Sequence, residues 1–483
     1  MLFNSLSFAI FLPIVFFLYW IATKGELKLQ NILLLVSSYF FYACWDWRFL
    51  FLLIFSTFLD YFTGIKIFES KSKKGKLSWL WLSIGINLGF LGVFKYYNFF
   101  ARSFASALAI LSFKASFVTL QIILPVGISF YTFHGLSYVI DLYKGRIKPE
   151  RYFINYSVFV SFFPLLVAGP IERATHLLPQ IVKSRQFDYT KAVDGLRQIL
   201  WGLFKKIVIA DSCAKYANMI FNNSSDYSGS TLVLGAFFFT FQIYCDFSGY
   251  SDIAIGTARL FGLDLLRNFA FPYFSRDIAE FWRRWHISLS SWFRDYLYIP
   301  LGGSKGGIAM KVRNIFIIFL VSGFWHGSNW TFIFWGFLNA LFIMPSIILN
   351  TNRNNLEIVA RGKLFPSLRD FLSIFITFCL TVFAWIFFRA QNIGRAVKYV
   401  SGIFSKSLFS IPKYSNMETL LTIIFIIFFV IVEWLGREQQ YAIASLGIKW
   451  KTTLRFVIYY TIILIIFYSA LGRNSQDFIY FQF

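Results

Sequence analysis

Runs of about 20 apolar residues recur along the chain and are separated by short, often basic loops. Thr331–Leu349 is one such run, and it is long enough to cross a bilayer as a helix. Hydrophobic residues make up 57% of the chain and charged residues 14%, against about 25% charged residues in a soluble domain. The pattern predicts an all-α polytopic membrane protein with about 10–12 membrane helices and no separate soluble domain.

The positive charge of the chain lies mainly in the loops beside apolar segments, and the formal net charge is +23. Lys24 and Lys28 follow the first apolar segment, and a lysine-rich loop (66–76) follows the third. If the N-terminus lies outside, both loops fall on the cytoplasmic side, as the positive-inside rule requires. We therefore expect the basic residues to meet anionic lipid headgroups and not nucleic acid.

The four cysteines are scattered and show no ligand spacing, so the sequence predicts neither a disulfide framework nor a metal site. The first apolar run, Phe8–Ala22, lacks a basic leader and a small-residue cleavage site. We expect it to be a retained membrane span rather than a signal peptide.

His326 stands in a break between two apolar runs, within Ser322–Trp330 (SGFWHGSNW). Ile315–Val321 before it is too short to cross a bilayer, whereas Thr331–Leu349 after it is long enough. A titratable side chain in such a setting marks a candidate functional site. The position of His326 alone is equally well interpreted as that of an interfacial histidine within an aromatic belt. The neighbours expected to line a site here are Trp325, Asn329 and Trp330.

A second polar feature follows Pro125 and Gly127, which interrupt another apolar run. Irregular backbone is tolerated in a membrane only where it is buried in protein or lines a cavity. Polar residues recur after the break at helical spacing and so form one stripe. They are His134, Ser137, Tyr138 and Asp141. The stripe either packs against another helix or lines a wet cavity, and we favour the cavity.

The segment Gln242–Asp252 (QIYCDFSGYSD) contains two carboxylates and two phenols beside apolar residues. Paired carboxylates can carry acid–base chemistry or share a proton. They can equally cap the helix predicted over Ile253–Leu260. We assign Asp252 to capping and keep Asp246 and Tyr250 as candidate site residues.

Two basic amphipathic segments are expected at the membrane surface. Tyr189–Ala210 suits the cytoplasmic face. Its basic residues are Lys191, Arg197, Lys205 and Lys206. Arg276–Leu301 is predicted to be an interfacial helix with an arginine face and an aromatic face, and His286 lies at the edge of the aromatic face. Arg283 and Arg284 could hold the phosphates of a headgroup or of a donor such as coenzyme A, although a plain surface helix needs only the amphipathicity.

The sequence contains no nucleotide-binding loop, dinucleotide fingerprint or serine-hydrolase elbow. Three of its four histidines, His134, His286 and His326, stand in apolar or aromatic surroundings. A buried neutral imidazole can take a proton from a hydroxyl group. This setting indicates either group transfer or proton-coupled transport, and the residues alone leave both open.

Several long motifs nevertheless resemble one family. They are Gln242–Asp252, Glu280–Ser290 (EFWRRWHISLS), Arg294–Gly303 (RDYLYIPLGG), Gly323–Gly327 (GFWHG), Asn4–Phe8 (NSLSF), Phe163–Ile171 (FPLLVAGPI) and Phe478–Phe483 (FIYFQF). Together they resemble the membrane-bound O-acyltransferase (MBOAT) family over nearly the whole chain. Within its bacterial branch of alginate O-acetylation and teichoic-acid D-alanylation proteins, the length and the tail favour the alginate side.

The resemblance implies a bundle of membrane helices, some broken, re-entrant or interfacial, around a tunnel. It implies one domain over 1–483, with N-terminal helices in 1–115, a catalytic core in 116–350 and C-terminal helices in 351–483. The near-invariant histidine of the family maps onto His326, which would act as general base. His286 matches a second histidine that would orient or bind, with Asp246 and Tyr250 supporting the site.

The resemblance also implies a cytoplasmic thioester donor, either acetyl-CoA or a carrier-bound acyl group, and no permanently bound cofactor. The acetyl group would cross the bacterial inner membrane to a periplasmic or extracellular SGNH-type partner and then to a polysaccharide. The alternatives are D-alanyl transfer to teichoic acid, a transporter or flippase without acyl chemistry, and an inactive scaffold for a secreted esterase.

Overall fold

The computed structural model describes residues 1–113, 117, 119–121, 123–167, 169–414, 416–447, 450–471 and 478–479. Within these ranges the chain is helical and contains no β-strand. Nine helical segments of the described chain are long and apolar enough to cross a membrane. They are Leu27–Asp46, Arg48–Glu69, Lys73–Ile110, Gly229–Leu260, Gly307–His326, Trp330–Ile348, Leu368–Arg389, Met417–Leu435 and Thr452–Ala470. The prediction of an all-α polytopic membrane protein is confirmed.

The chain divides into two compact units, and the first comprises Met1–Ala192 and Ala258–Leu266. Its helices are α1 (Leu6–Phe17), α2 (Leu27–Asp46), α3 (Arg48–Glu69), α4 (Lys73–Leu91), α5 (Tyr97–Ile110), α6 (Ile128–Tyr143), α7 (Phe153–Ser161), α8 (Phe163–Leu166) and α9 (Ala174–Ile181). Helices α1 and α4 each continue into a π-helical turn, Leu18–Ala22 and Gly92–Tyr96.

Asp60 of α3 lies inside the first unit, where α3, α4 and α6 meet. Its Oδ1 accepts hydrogen bonds from Ser83 Oγ at 2.6 Å and from Asn87 Nδ2 at 2.8 Å. A Cβ atom at Gly135 of α6 would stand 1.9 Å from Asp60 Oδ2. The carboxyl group therefore requires a glycine opposite it, and it stabilises the packing of the three helices through polar contacts.

The break predicted near Gly127 is present, and a second break interrupts the segment Phe153–Val167. Gly127 has φ +72° at the start of α6, and a Cβ there would stand 2.2 Å from Leu166 O. The segment Phe153–Val167, which the sequence suggests is one span, divides at Phe162 into α7 and α8. Pro164 has no N–H group with which to continue the helical hydrogen bonding across this point.

The second unit comprises Val193–Thr257 and Arg267–Phe483. Its helices are α10 (Tyr189–Leu203), α11 (Asp211–Asn222), α12 (Gly229–Leu260), α13 (Ile278–Arg284), α14 (Ile287–Phe293), α15 (Gly307–His326), α16 (Trp330–Ile348), α17 (Leu368–Arg389), α18 (Ile393–Ile403), α19 (Met417–Leu435) and α20 (Thr452–Ala470). A few residues at one end of α10 and of α12 belong to the first unit. Phe204–Ala210 and Arg294–Tyr298 form π-helical turns.

Helices α15 and α16 form a tight antiparallel pair because two glycines let their backbones approach. A Cβ at Gly323 would stand 2.2 Å from Phe332 O, and a Cβ at Gly336 would stand 2.2 Å from Phe319 O. The pair fixes the end of α15, where His326 is the last helical residue. Close glycine-mediated packing of this kind is typical of helices in membranes.

Ile315–Val321, the apolar run before His326, is too short to cross a bilayer by itself, but it belongs to a helix of 20 residues, Gly307–His326, which is long enough to span. Two sequence expectations for the second unit are wrong. Asp252 caps no helix, because α12 runs without a break through it. Arg276–Leu301 is not one helix but α13 and α14, separated at Trp285 and His286.

Part of the sequence that carries the family resemblance lies outside the described residues. In the C-terminal run FIYFQF only Phe478 and Ile479 are described, and Ala168 of FPLLVAGPI is not.

Candidate active site

His326 lies at the junction of α15 and α16 and is 3% exposed. Asn329 fixes the junction because its Oδ1 accepts a hydrogen bond from Thr331 N at 3.1 Å, which caps α16. Its Nδ2 donates to Gln391 O at 2.8 Å. In the structure, Asn329 holds the turn after His326 through these bonds.

Aromatic rings surround the imidazole of His326. Its centroid is 4.9 Å from the ring of Trp325, 5.2 Å from that of Trp335 and 5.4 Å from that of Phe388. The side chain of Trp330, which the sequence suggests as a wall of the site, is 54% exposed. Trp335, one and a half helical turns further along α16, is buried against the histidine instead.

His286 belongs to the same aromatic cluster, with its ring centroid 6.5 Å from that of His326. It is also 6.0 Å from Trp325 and 4.6 Å from Phe247, whose ring meets it edge-on. His286 is 1% exposed. The second unit therefore brings together the two histidines that the sequence suggests as catalytic, along with Trp325.

The backbone at His286 explains why the predicted interfacial helix breaks there. His286 has φ +44°, which is rare for a residue with a side chain. The chain on either side is held by the segment before α13: Ala270 N donates to Arg284 O, and Ile287 N donates to Asn268 O, both at 2.9 Å. Strained backbone of this kind is often found at functional sites.

The two ring nitrogens of His286 differ in their surroundings. Nδ1 lies 3.0 Å from Asn268 Oδ1. Nε2 is buried and has no hydrogen-bond partner within the described part of the chain. Burial lowers the pKa of His286 to about 3, so the imidazole is neutral near pH 7. A neutral ring with one unengaged nitrogen can take part in proton transfer.

Asp246 and Tyr250 lie on α12 behind His286, beside a buried lysine. Lys206 Nζ is 2.7 Å from Asp246 Oδ1 and 5.7 Å from the centre of the Tyr250 ring. Asp246 Oδ2 also accepts a hydrogen bond from Ile479 N at 2.7 Å. Because Phe247 follows Asp246 and packs on His286, this ion pair supports the wall of the site.

Lys205 and Lys206 do not lie on a membrane surface, as the amphipathic pattern of Tyr189–Ala210 predicts, but are buried. Lys205 Nζ pairs with Asp252 Oδ2 at 2.6 Å, and Lys206 also pairs with Asp211 at 2.8 Å. Burial opposes the charge on Lys206, but its carboxylate partners raise its pKa above the usual value overall. The surface assignment of these two lysines is wrong because α12 supplies buried carboxylates that compensate their charge.

Arg283 and Arg284 use their guanidinium groups within the protein. Arg283 donates to the backbone carbonyls of Asn352 and Asn355 at 2.7 and 2.9 Å. Arg284 forms an ion pair with Glu280 at 2.7 Å. In the structure both arginines fix loops around α13, and donor binding by them stays a prediction.

His134 lies in the first unit, in α6, and is 1% exposed. Its Nδ1 is 3.5 Å from Val160 O, and its Nε2 accepts a hydrogen bond from Glu172 N at 3.1 Å. Both ring nitrogens thus meet backbone groups of the same unit. Its role in substrate binding stays a prediction.

Several residues of the site carry no clear signal in the sequence. Asn268 lies in a loop, and Trp335 and Phe388 read as ordinary apolar positions of membrane helices. Within the described chain, no group of three or more His, Cys, Asp and Glu side chains is placed to hold a metal ion.

The second unit thus contains membrane helices and two buried histidines in one aromatic cluster. The family model of the membrane-bound O-acyltransferases matches residues 152–388. Over its full length the chain is 34% identical to the full length of a probable alginate O-acetylase of Pseudomonas putida. It is 37% identical to a peptidoglycan O-acetyltransferase of Helicobacter pylori, over 83% of this chain and 80% of that protein.

A more distant relative is a teichoic acid D-alanyltransferase of Bacillus subtilis, 29% identical over 55% of this chain and 69% of that protein. The chain belongs to the membrane-bound O-acyltransferase family. It is a multi-pass membrane O-acyltransferase.

Proposed function

We propose that the protein transfers an acetyl group from a cytoplasmic thioester, acetyl-CoA, for the O-acetylation of an extracytoplasmic polysaccharide. One observation supports this most: His326 and His286 lie in one buried aromatic cluster, with ring centroids 6.5 Å apart. The relatives named above act, by their names, on alginate and on peptidoglycan, which are both polysaccharides.

In the proposed reaction His326 acts as general base on the accepting hydroxyl. The hydroxyl oxygen forms a bond to the acetyl carbonyl carbon, and the bond from that carbon to the thioester sulfur breaks. The proton of the hydroxyl passes to the imidazole and then to the departing thiolate, so that an ester and a thiol are the products. The buried aromatic walls exclude water, which would otherwise hydrolyse the thioester.

The same proposal places the protein in the bacterial inner membrane with its N-terminus outside, the orientation that the lysine-rich loops favour. The accepting hydroxyl belongs to a periplasmic or extracellular acetyltransferase of SGNH type, which then transfers the acetyl group from its own ester to a hydroxyl of the polysaccharide. D-alanyl transfer to teichoic acid is the second candidate, because a teichoic acid D-alanyltransferase is among the relatives.

Membrane vesicles from cells that express the protein, supplied with acetyl-labelled acetyl-CoA, test the donor and the reaction class together. We expect label to pass from the thioester to an ester on a glycan, with release of free thiol, and both to depend on the protein. Label from D-alanyl carrier protein in place of acetyl-CoA would support the second candidate. Translocation of a glycan without consumption of either thioester would contradict acyl transfer altogether.

A further inference from the structure

Asn268 connects three parts of the second unit around His286. It is fully buried, at 0% exposed, in the loop between α12 and α13. Its side-chain Nδ2 donates to Ser251 Oγ of α12 at 3.0 Å. Its Oδ1 accepts from Ser288 Oγ at 2.9 Å, from Ser288 N at 3.4 Å, and lies 3.0 Å from His286 Nδ1.

The contact with Ser288 determines which end of the Asn268 amide faces His286. A backbone N–H group can only donate, so the amide atom that faces Ser288 N must be the oxygen. An amide oxygen can only accept, and therefore His286 Nδ1 must carry the hydrogen of the 3.0 Å bond. A neutral imidazole carries one N–H, so its Nε2 holds a lone pair.

The backbone of Asn268 reinforces this arrangement. Asn268 O accepts the hydrogen bond from Ile287 N at 2.9 Å, which holds the residue after His286 in place. Phe247 packs edge-on against the imidazole at 4.6 Å. The ring is thus fixed on its Nδ1 side, and Nε2 is the buried nitrogen that has no partner in the described structure. Buried polar atoms without a partner are rare and call for an explanation.

We propose that Asn268 is a positioning residue that holds His286 in the tautomer with the proton on Nδ1, so that Nε2 meets the reactants as a proton acceptor. The tautomer is inferred from hydrogen bonds alone, and only its expected effect on the reaction rests on the proposed acyl transfer. In this tautomer His286 accepts a hydrogen bond from the hydroxyl of a reactant. It cannot donate one to an oxyanion.

The tautomer can be measured directly because the chain has only four histidines. The purified full-length protein, labelled with ¹⁵N only at histidine, should give four sets of ring signals, and His286→Gln identifies the set of His286. We expect a protonated Nδ1 and an unprotonated Nε2 for His286 at pH 7. A protonated Nε2 in the wild-type protein would overturn the proposal.

Two substitutions of Asn268 separate its chemistry from its shape. Asn268→Leu removes the acceptor and should move His286 toward the tautomer with the proton on Nε2. Asn268→Asp keeps an acceptor of the same size and should keep the proton on Nδ1. Unchanged His286 signals in Asn268→Leu would contradict the proposal, and if that variant does not fold, Asn268→Ala supplies the same comparison.

Asn314→Leu is a matched control for the loss of a buried asparagine. Asn314 is also 0% exposed, and its Nδ2 donates to the carbonyls of Leu301 and Gly303 at 3.3 and 3.0 Å. It should lower the unfolding temperature as Asn268→Leu does, but leave the signals of His286 unchanged. A change in those signals in Asn314→Leu would mean that general destabilisation, and not Asn268, sets the tautomer.

The reaction rate then tests the consequence. We expect Asn268→Leu to lower kcat about 10–100-fold with little change in KM for acetyl-CoA, and Asn268→Asp to restore most of the rate. A changed tautomer with an unchanged kcat would leave the tautomer assignment intact but contradict contact between His286 Nε2 and the reactants. A lowered kcat with an unchanged tautomer would contradict the positioning role.

Discussion

His134 in the first unit and His286 in the second are alike in residue type, burial and the group at Nδ1, but they differ at Nε2. Each Nδ1 faces a carbonyl oxygen, that of Val160 for His134 and that of the Asn268 side chain for His286. The Nε2 of His134 accepts a hydrogen bond from Glu172 N, whereas the Nε2 of His286 has no partner in the described chain. Burial alone therefore does not distinguish the two histidines, whereas the engagement of Nε2 does.

The largest expected effect is on the rate of acetyl transfer, which should differ between substitutions of these two histidines. We expect His286→Ala to lower the rate of acetyl transfer about 10²–10⁴-fold, the range of a group that acts in proton transfer. At saturating donor, His134→Ala should leave the rate per folded molecule close to that of the wild type and lower the thermal stability, because Glu172 N then loses its acceptor. Rates normalised to folded protein, with unfolding followed in detergent, measure both. Equal losses of rate would contradict the comparison.

The buried ion pair behind His286 should contribute more to stability than an ion pair on the surface. Lys206→Met leaves Asp246 buried without its cation, and we expect a loss of about 3–5 kcal/mol in stability, since breaking a buried pair leaves an uncompensated charge. The control is Lys215→Met, because Lys215 pairs with Glu418 at 2.6 Å on the surface, with both side chains more than half exposed. That pair should contribute at most about 1 kcal/mol. Similar losses in the two variants would show that the buried pair does not support the site.

The smallest effect is the dependence of stability on pH. Burial lowers the pKa of His286 to about 3, against about 6.5 in an unfolded chain. The unfolded state therefore binds more protons between about pH 6.5 and 3, and stability falls as the pH falls through this window. From pH 7 to pH 5 the contribution of His286 is about 2 kcal/mol.

His286→Gln has no such titration, so its stability should fall less than that of the wild type between pH 7 and pH 5. Thermal unfolding of the two proteins at both pH values measures the difference. Parallel losses in the wild type and in His286→Gln would show that His286 titrates normally in the folded protein.

The fold class and the two histidines of the site could be predicted from sequence, for different reasons. Apolar runs long enough to cross a membrane fold as helices, because a helix satisfies its own backbone hydrogen bonds in lipid. The all-α fold class therefore follows from the sequence. His326 and His286 stand out because charge and imidazole are rare beside such runs. The sequence does not show that they lie in one aromatic cluster, because 39 residues separate them. Only the packing of α13, α14 and α15 together brings them close.

The errors all concern features that depend on distant partners. An amphipathic pattern with Lys205 and Lys206 predicts a surface helix, and only the carboxylates of α11 and α12 make their burial tolerable. Likewise, the break at His286 depends on hydrogen bonds with the loop around Asn268, which no local propensity of Arg276–Leu301 encodes. Trp330 was expected as a wall of the site, but it is 54% exposed, and Trp335 lies against His326 instead. Which of the two rings meets the histidine depends on how α16 packs against α15.

If the histidine pair of the second unit carries out acyl transfer, the loss of His326 should abolish O-acetylation in cells. A strain that lacks the protein is complemented with the wild type or with His326→Ala, and the cell-envelope glycans are analysed by mass spectrometry for O-acetyl groups. We expect the acetyl groups to return with the wild type and to be absent with His326→Ala, at equal amounts of protein in the membrane. Normal acetylation with His326→Ala would show that His326 is not needed for acyl transfer.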